Sequence, residues 1–208
     1  MTSRPFVALC AATGLLVLGS AAGVTWLAMS RSGASAASAS PMTAIGGPFR
    51  LIATDGSTVS DQTYRGKWLL VYFGYTFCPD ACPTALGNIG DALRRLGRLA
   101  RRVQPLFITI DPHRDTRKVM AAYVKAFDPR IVGLTGSATE ITIVAREYGV
   151  YVAPKRSSGE DYLVDHSSFV YVMNPEGRFV ATLAGSASGA EMAAQIETLL
   201  SKAPEARR

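Results

Sequence analysis

The run Trp68-Leu-Leu-Val-Tyr-Phe-Gly-Tyr75 is apolar from end to end. A run of this kind reads as a fully buried strand, and the sheet that holds it has to be covered on both faces. Residues 106–110, Leu-Phe-Ile-Thr-Ile, make the same demand. Between the two runs, Leu86, Ile89, Leu93, Leu96 and Val103 recur at helical spacing, which predicts a helix ending near Val103.

The rest of the chain alternates in the same manner. A short strand over residues 49–54 meets a turn at Asp55-Gly56. Asp115-Thr116 opens a helix that runs to about Phe127 and stops at Asp128-Pro129. Residues 132–134 form a short strand, and Ser137-Ala-Thr-Glu140 has the form of a capping box for a helix that Gly149 ends. The polar residues 156–161 read as a hairpin tip. Strands at 169–173 and 179–183 flank the turn Asn174-Pro-Glu-Gly177, and a second capping box, Ser188-Gly-Ala-Glu191, opens a last helix to about Lys202. This order predicts an α/β fold, a mixed sheet with helices on both faces.

Two cysteines, Cys78 and Cys82, follow the first apolar run. Residues four apart share one face of a helix, so both sulfurs can address one atom. Pro79 and Pro83 are tolerated best in a first helical turn, so the helix is expected to start between the cysteines. A helix N-terminus favours thiolate, the form that both metal binding and disulfide exchange require. The spacing leaves three residues between the sulfurs, where the thiol oxidoreductase motif has two, and a structural disulfide fits it as well. Structural zinc fits less well, because it wants four protein ligands.

His166 shifts the balance. It stands in Leu163-Val-Asp-His-Ser-Ser168, just ahead of the strand at 169–173. A cysteine motif at the first strand-to-helix junction points to a thioredoxin-like fold, in which this loop approaches the cysteines. Oxidoreductases of that fold commonly carry a cis-proline there. This chain has no proline between Pro154 and Pro175 and offers an imidazole instead. Two thiolates and one imidazole suit a soft metal, copper first. His113, in Ile110-Asp-Pro-His-Arg-Asp115, reads as an exposed loop residue, with a metal role as the lesser alternative. A peroxidase of peroxiredoxin type fits poorly, since Tyr75 stands three residues before Cys78, where that motif has threonine.

The chain has 208 residues, room for one domain with a full core. Residues 5–30 carry no charge and are bracketed by Arg4 and Arg31, long enough to cross a bilayer. The expected organisation is a transmembrane anchor over residues 1–31, a Ser/Ala-rich tether over 32–46, the globular domain over 47–203, and an exposed tail over 204–208. A cleaved signal peptide competes with the anchor, because Ala37-Ser38-Ala39 resembles a cleavage site. A lipoprotein signal does not fit Cys10, which follows Leu9 early in the apolar run. Both readings put the domain outside the cytoplasm. Only four residues precede the apolar stretch, which favours a bacterial inner membrane with a periplasmic domain over a mitochondrial inner membrane.

The formal charge is +6, and +4 remains without Arg4 and Arg31. Much of that excess is Arg94, Arg95, Arg98, Arg101 and Arg102. The plainest reading is the solvated face of an amphipathic helix; attraction to anionic lipid or an acidic partner is the alternative. Nucleic acid does not fit the compartment.

Five stretches together resemble the Sco/SenC family of copper-binding proteins: Phe73-Gly-Tyr-Thr-Phe-Cys-Pro-Asp-Ala-Cys-Pro-Thr84, Thr109-Ile-Asp-Pro-His-Arg-Asp-Thr116, Tyr123-Val-Lys-Ala-Phe127, Val132-Gly-Leu-Thr135 and Tyr162-Leu-Val-Asp-His-Ser167. The resemblance implies a membrane-anchored thioredoxin-like domain that binds copper through Cys78, Cys82 and His166. It implies a role in cytochrome c oxidase assembly, with oxidase subunit II and a copper donor protein as partners. Either copper delivery or thiol–disulfide reduction of the oxidase cysteines is compatible with it. The family usually has an acidic residue where this chain has His113.

Overall fold

The structure, a computed structural model, describes residues 45–155 and 163–202. The expected anchor, the tether up to residue 44 and the tail lie outside the described residues. Among those residues no helix is long and apolar enough to cross a membrane.

Nine strands and four α-helices are present among the described residues: β1 (Arg50–Ala53), β2 (Thr58–Ser60), β3 (Trp68–Gly74), α1 (Ala81–Arg95), β4 (Val103–Thr109), α2 (Arg117–Lys125), β5 (Val132–Thr135), α3 (Ala138–Glu147), β6 (Val152–Lys155), β7 (Leu163–His166), β8 (Phe169–Met173), β9 (Phe179–Ala184) and α4 (Gly189–Lys202). Seven strands form one sheet in the order β2-β1-β5-β4-β3-β8-β9, and β6 pairs with β7. β3, β4 and β5 are parallel, while β1, β2, β8 and β9 join antiparallel. The sheet is therefore mixed, as expected.

Why β3 is central follows from its burial: all seven of its residues are buried. Trp68, Leu70 and Tyr72 enter one hydrophobic cluster with Leu86, Ile89 and Leu93 of α1, Met120 of α2 and Ile196 of α4. Leu69, Val71 and Phe73 face the other cluster, with Ile141 and Val144 of α3. Strand alternation thus sends successive residues into two cores, one on each face. β4 repeats the pattern beside it, with Phe107 in the first cluster and Leu106 and Ile108 in the second.

Both capping boxes form. The Ser137 and Ser188 backbone N–H groups donate to Glu140 and Glu191 carboxylates at 2.7 and 2.8 Å, and the serine hydroxyls accept in return. The arginine-rich segment departs from expectation. The α-helix ends at Arg95, a 3₁₀ turn covers Gly97–Arg102, and Val103 already belongs to β4. Gly97 has φ +53°, a left-handed conformation that breaks the helix even though the leucine spacing continues past it. β4 therefore begins three residues before the apolar run, and Pro105 lies ahead of Leu106, where β5 first pairs with β4. β2 is a three-residue edge strand that the sequence pattern does not announce.

Candidate metal centre

The site is built at the C-terminal end of β3. After Gly74 the chain turns through Tyr75, whose carbonyl accepts from Cys78 N–H at 3.2 Å. Asp80 is the N-cap of α1, so the helix starts between the two cysteines, as the prolines predict. Cys82 lies in the first turn with no exposure at all, and Cys78 is partly exposed. No disulfide joins them in this structure. The Cys82 backbone N–H points at Cys78 Sγ, 3.4 Å away. Gly74 makes room for the inner sulfur: a Cβ there would lie 2.6 Å from Cys82 Sγ and 2.8 Å from the Phe107 ring.

The helix start does not by itself make Cys82 a thiolate. Its hydrogen bond with Cys78, then burial, then the negative charge of an ionised Cys78, push its pKa well above the ordinary thiol range. Tyr72 is raised as well, by burial first and by the neighbouring cysteines after that. Its hydroxyl reaches the Ala81 carbonyl at 3.4 Å. A metal ion that displaces the protons reverses this balance, because ligation itself supplies the compensating charge.

A second set of side chains braces the loop ahead of the cysteines. Asp115, completely buried, accepts from Thr76 N–H at 3.1 Å, from Thr76 Oγ1 at 2.5 Å and from Thr109 Oγ1 at 2.7 Å. Burial raises the Asp115 pKa, the threonine hydrogen bonds pull it back, and the charge of Asp111 raises it again. Asp111 in turn accepts from Arg114 Nε at 2.5 Å. The Arg114 guanidinium lies 4.9 Å from the Phe77 ring centroid and 5.7 Å from that of Tyr75. Asp111, Arg114 and Asp115 escape a search for metal-ligand spacing. Three charged residues packed within five positions directly after a buried strand were the available signal.

The expected third ligand reaches this end of the sheet by its backbone. His166 is the last residue of β7, opposite Val152. Two residues before it, Val164 N–H donates to Tyr75 Oη at 3.1 Å. Two residues after it, the Ser168 carbonyl accepts from Gly185 N–H at 2.9 Å, at a glycine that also lies against the Tyr72 ring. The His166 side chain lies outside the described residues, as does the expected hairpin tip at 156–161; β6 and β7 flank that tip as an antiparallel pair. Among the described residues no group of three or more His, Cys, Asp and Glu side chains stands ready for a metal ion. His113 is exposed on the β4–α2 loop, as expected, and Cys10 lies outside the described residues.

A two-cysteine motif where a central strand meets its helix, on a mixed sheet covered by helices on both faces, defines a thioredoxin-like protein with two soft donors at the strand end. The SCO1/SenC family model matches residues 37–201, and the chain belongs to that family. It is 42% identical over 157 residues to the human mitochondrial SCO1 homolog, covering 74% of this chain and 52% of that protein. The chain spans about half the length of the curated relatives it matches. Arabidopsis thaliana ScoI with copper bound superposes with a TM-score of 0.73 at 40% identity, over 77% of this chain and all of that one. Bradyrhizobium japonicum ScoI with copper bound gives 0.70 at 41%, over 74% of this chain and 99% of the other.

Proposed function

We propose that this chain carries copper on Cys78 Sγ, Cys82 Sγ and the His166 imidazole, and hands it to subunit II of cytochrome c oxidase during assembly. The observation that carries the reading is the bracketing of His166. Two residues before it, Val164 bonds Tyr75, and two residues after it, Ser168 meets Gly185 against the Tyr72 ring; these tyrosines flank the cysteine loop and the inner sulfur. The donor chemistry agrees, since two thiolates with one imidazole fit copper better than zinc, which asks for a fourth protein ligand. Copper-bound relatives of the same fold support it. Copper is cargo here: one sulfur is within reach of solvent, and the other is held from behind by the sheet.

The domain hangs from a bilayer by the uncharged segment 5–30 and faces the periplasm. Copper reaches it from a donor protein on that side. A second reading, a thiol–disulfide reductase acting on the oxidase cysteines, is favoured by one feature. Cys78 is the more accessible sulfur and Cys82 the buried one, the division between attacking and resolving thiols.

His166→Ala separates the two. Thiol exchange needs no imidazole, whereas a three-ligand copper site loses a ligand outright. The variant is expected to bind copper at least about a hundredfold more weakly, beyond the loss typical of an outer-shell partner. Its cysteine pair should still oxidise and reduce. Copper titration of the reduced protein measures the first and thiol counting the second. Wild-type copper affinity in this variant sinks the ligand assignment.

A further inference from the structure

The end of the sheet away from the cysteines has a composition of its own. There the 3₁₀ turn Gly97–Arg102 projects between α1 and β4, and Val103 pairs with Trp68, the first residue of β3. Arg98, Leu99 and Arg101 are exposed, Leu99 to 39%. Lys67 is exposed next to them, and its ammonium group donates to the Arg101 carbonyl. Several arginines elsewhere are compensated, Arg94 and Arg95 by Asp91, Arg65 by Asp61, Arg130 by Asp128 and Arg178 by Glu176, while Arg50, Arg117 and Arg146 stand apart from one another without such a pair among the described residues. Among the described residues, Lys67, Arg98, Arg101 and Arg102 have no carboxylate within ion-pair distance.

A merely solvated helix face does not call for this arrangement. The segment is not α-helical, and three cations without a carboxylate partner share the turn with an exposed leucine, with Lys67 held to the turn's backbone. That is the composition an anionic headgroup layer attracts, with the apolar side chain entering the boundary and the cations meeting phosphates.

The second observation is where the polypeptide arrives. Gly46 N–H donates to the Glu147 carbonyl at 2.8 Å. Gly46 and Gly47 then line a cavity of about 310 Å³ with Arg65, Leu69, Met173 and Gly177. Leu69 pairs with Met173 at the start of β3. The chain thus joins the domain at the end that carries the basic turn. The cysteine loop lies at the other end of seven-residue β3, roughly 20 Å away by strand geometry.

We propose that Lys67 and the Arg98–Arg102 turn rest on anionic phospholipid headgroups, so that the domain stands on its basic end with Cys78 turned away from the bilayer. This rests on the membrane-anchor reading only for what holds the domain near the bilayer. The test is amide hydrogen exchange on the full chain with nanodiscs of neutral lipid and of neutral lipid mixed with phosphatidylglycerol. Each basic side chain near an anionic surface contributes about fivefold in affinity.

Residues 97–102 are expected to exchange at least about tenfold more slowly with the anionic discs, and to lose that protection in about 0.5 M salt, where screening is nearly complete. The variant carrying Arg98→Gln, Arg101→Gln and Arg102→Gln should lose the protection too, while β3 exchange, unchanged, shows that it is folded. Equal exchange on neutral and anionic discs overturns the proposal. So does protection that appears on neutral discs only when purified oxidase is added, which would assign the face to an acidic protein. A chain that fails to incorporate refutes the anchor; the face is then judged by the same comparison with discs simply added.

Discussion

The two ends of β3 hold charge in opposite ways. At the Gly74 end the carboxylates of Asp111 and Asp115 are buried, and their hydrogen bonds fix the backbone and rings that lead to Cys78. At the Trp68 end Arg98 and Arg101 of the Gly97–Arg102 turn are exposed, and among the described residues neither has a carboxylate within ion-pair distance. A buried, satisfied network is costly to disturb and sets one geometry. An exposed charge is cheap to change and acts at a distance that salt controls. The site end is suited to positioning a ligand set, and the opposite end to attraction without a fixed partner geometry.

The largest expected effect sharpens this contrast at the metal centre. Cys78→Ser should lower copper affinity by more than about a hundredfold, since loss of an outer-shell partner alone costs up to that much. Its unfolding midpoint should hardly move, because Cys78 is partly exposed. Copper titration beside a thermal melt measures both; a variant that binds as the wild type would end the idea that the Gly74 end exists to present sulfur. Asp115→Asn comes next. Its amide would present donors to Thr76 and Thr109, which already donate, and should cost about 2–3 kcal/mol in urea unfolding. If the cost were near zero, the buried brace would be ornament and the contrast between the ends would fail.

Asp128 belongs to the Trp68 end, ahead of β5, and its carboxylate is held below the usual range by hydrogen bonds from Arg130 at 2.8 and 2.6 Å. A folded-state value below the unfolded one gives stability that is present above the ordinary carboxylate range and fades as pH falls through the lowered value. Asp115, raised by burial, has the opposite sign: it favours the fold more as pH drops through its raised value. Asp128→Asn should therefore cost about 1 kcal/mol at pH 7, the Arg130 side chain being largely exposed, and flatten the acid limb of stability. Asp115→Asn should steepen that limb. Urea midpoints from pH 3 to 7 measure both, and equal slopes in the two variants would contradict the assignment of signs. The smallest effect is expected for Arg98→Gln with Arg101→Gln. Without lipid, stability should change by less than about 0.5 kcal/mol; a larger loss by thermal melt would mean that the turn is structural.

Much of the fold was legible because local rules and tertiary packing agreed. The two apolar runs became adjacent central strands, and both serine–glutamate capping boxes formed where the spacing put them. The misreadings share one physical cause, a local pattern overruled by a single residue or a neighbour. Gly97 ends a helix whose leucine spacing runs on, and Thr58–Ser60 is a strand only because β1 lies next to it. At the site, the cysteines declared themselves by residue type. Asp115 did not, because a buried carboxylate that holds a backbone N–H looks in sequence like any surface aspartate. Gly74 was equally silent, since its contribution is the absence of a side chain.

The sulfur behind Gly74 has a consequence for traffic. Cys82 Sγ lies against the sheet at Gly74 and is fully buried, so Cys78 is the more accessible of the two sulfurs among the described residues. If copper is carried here as proposed, an incoming donor or acceptor would meet Cys78 first, and its ligands would have to replace those of this chain in sequence, from the outside inward. Metal exchange at such a centre is a queue with a fixed order. The last bond to break would then be the one to buried Cys82, so the pace of release would be set from within the domain and its direction from outside.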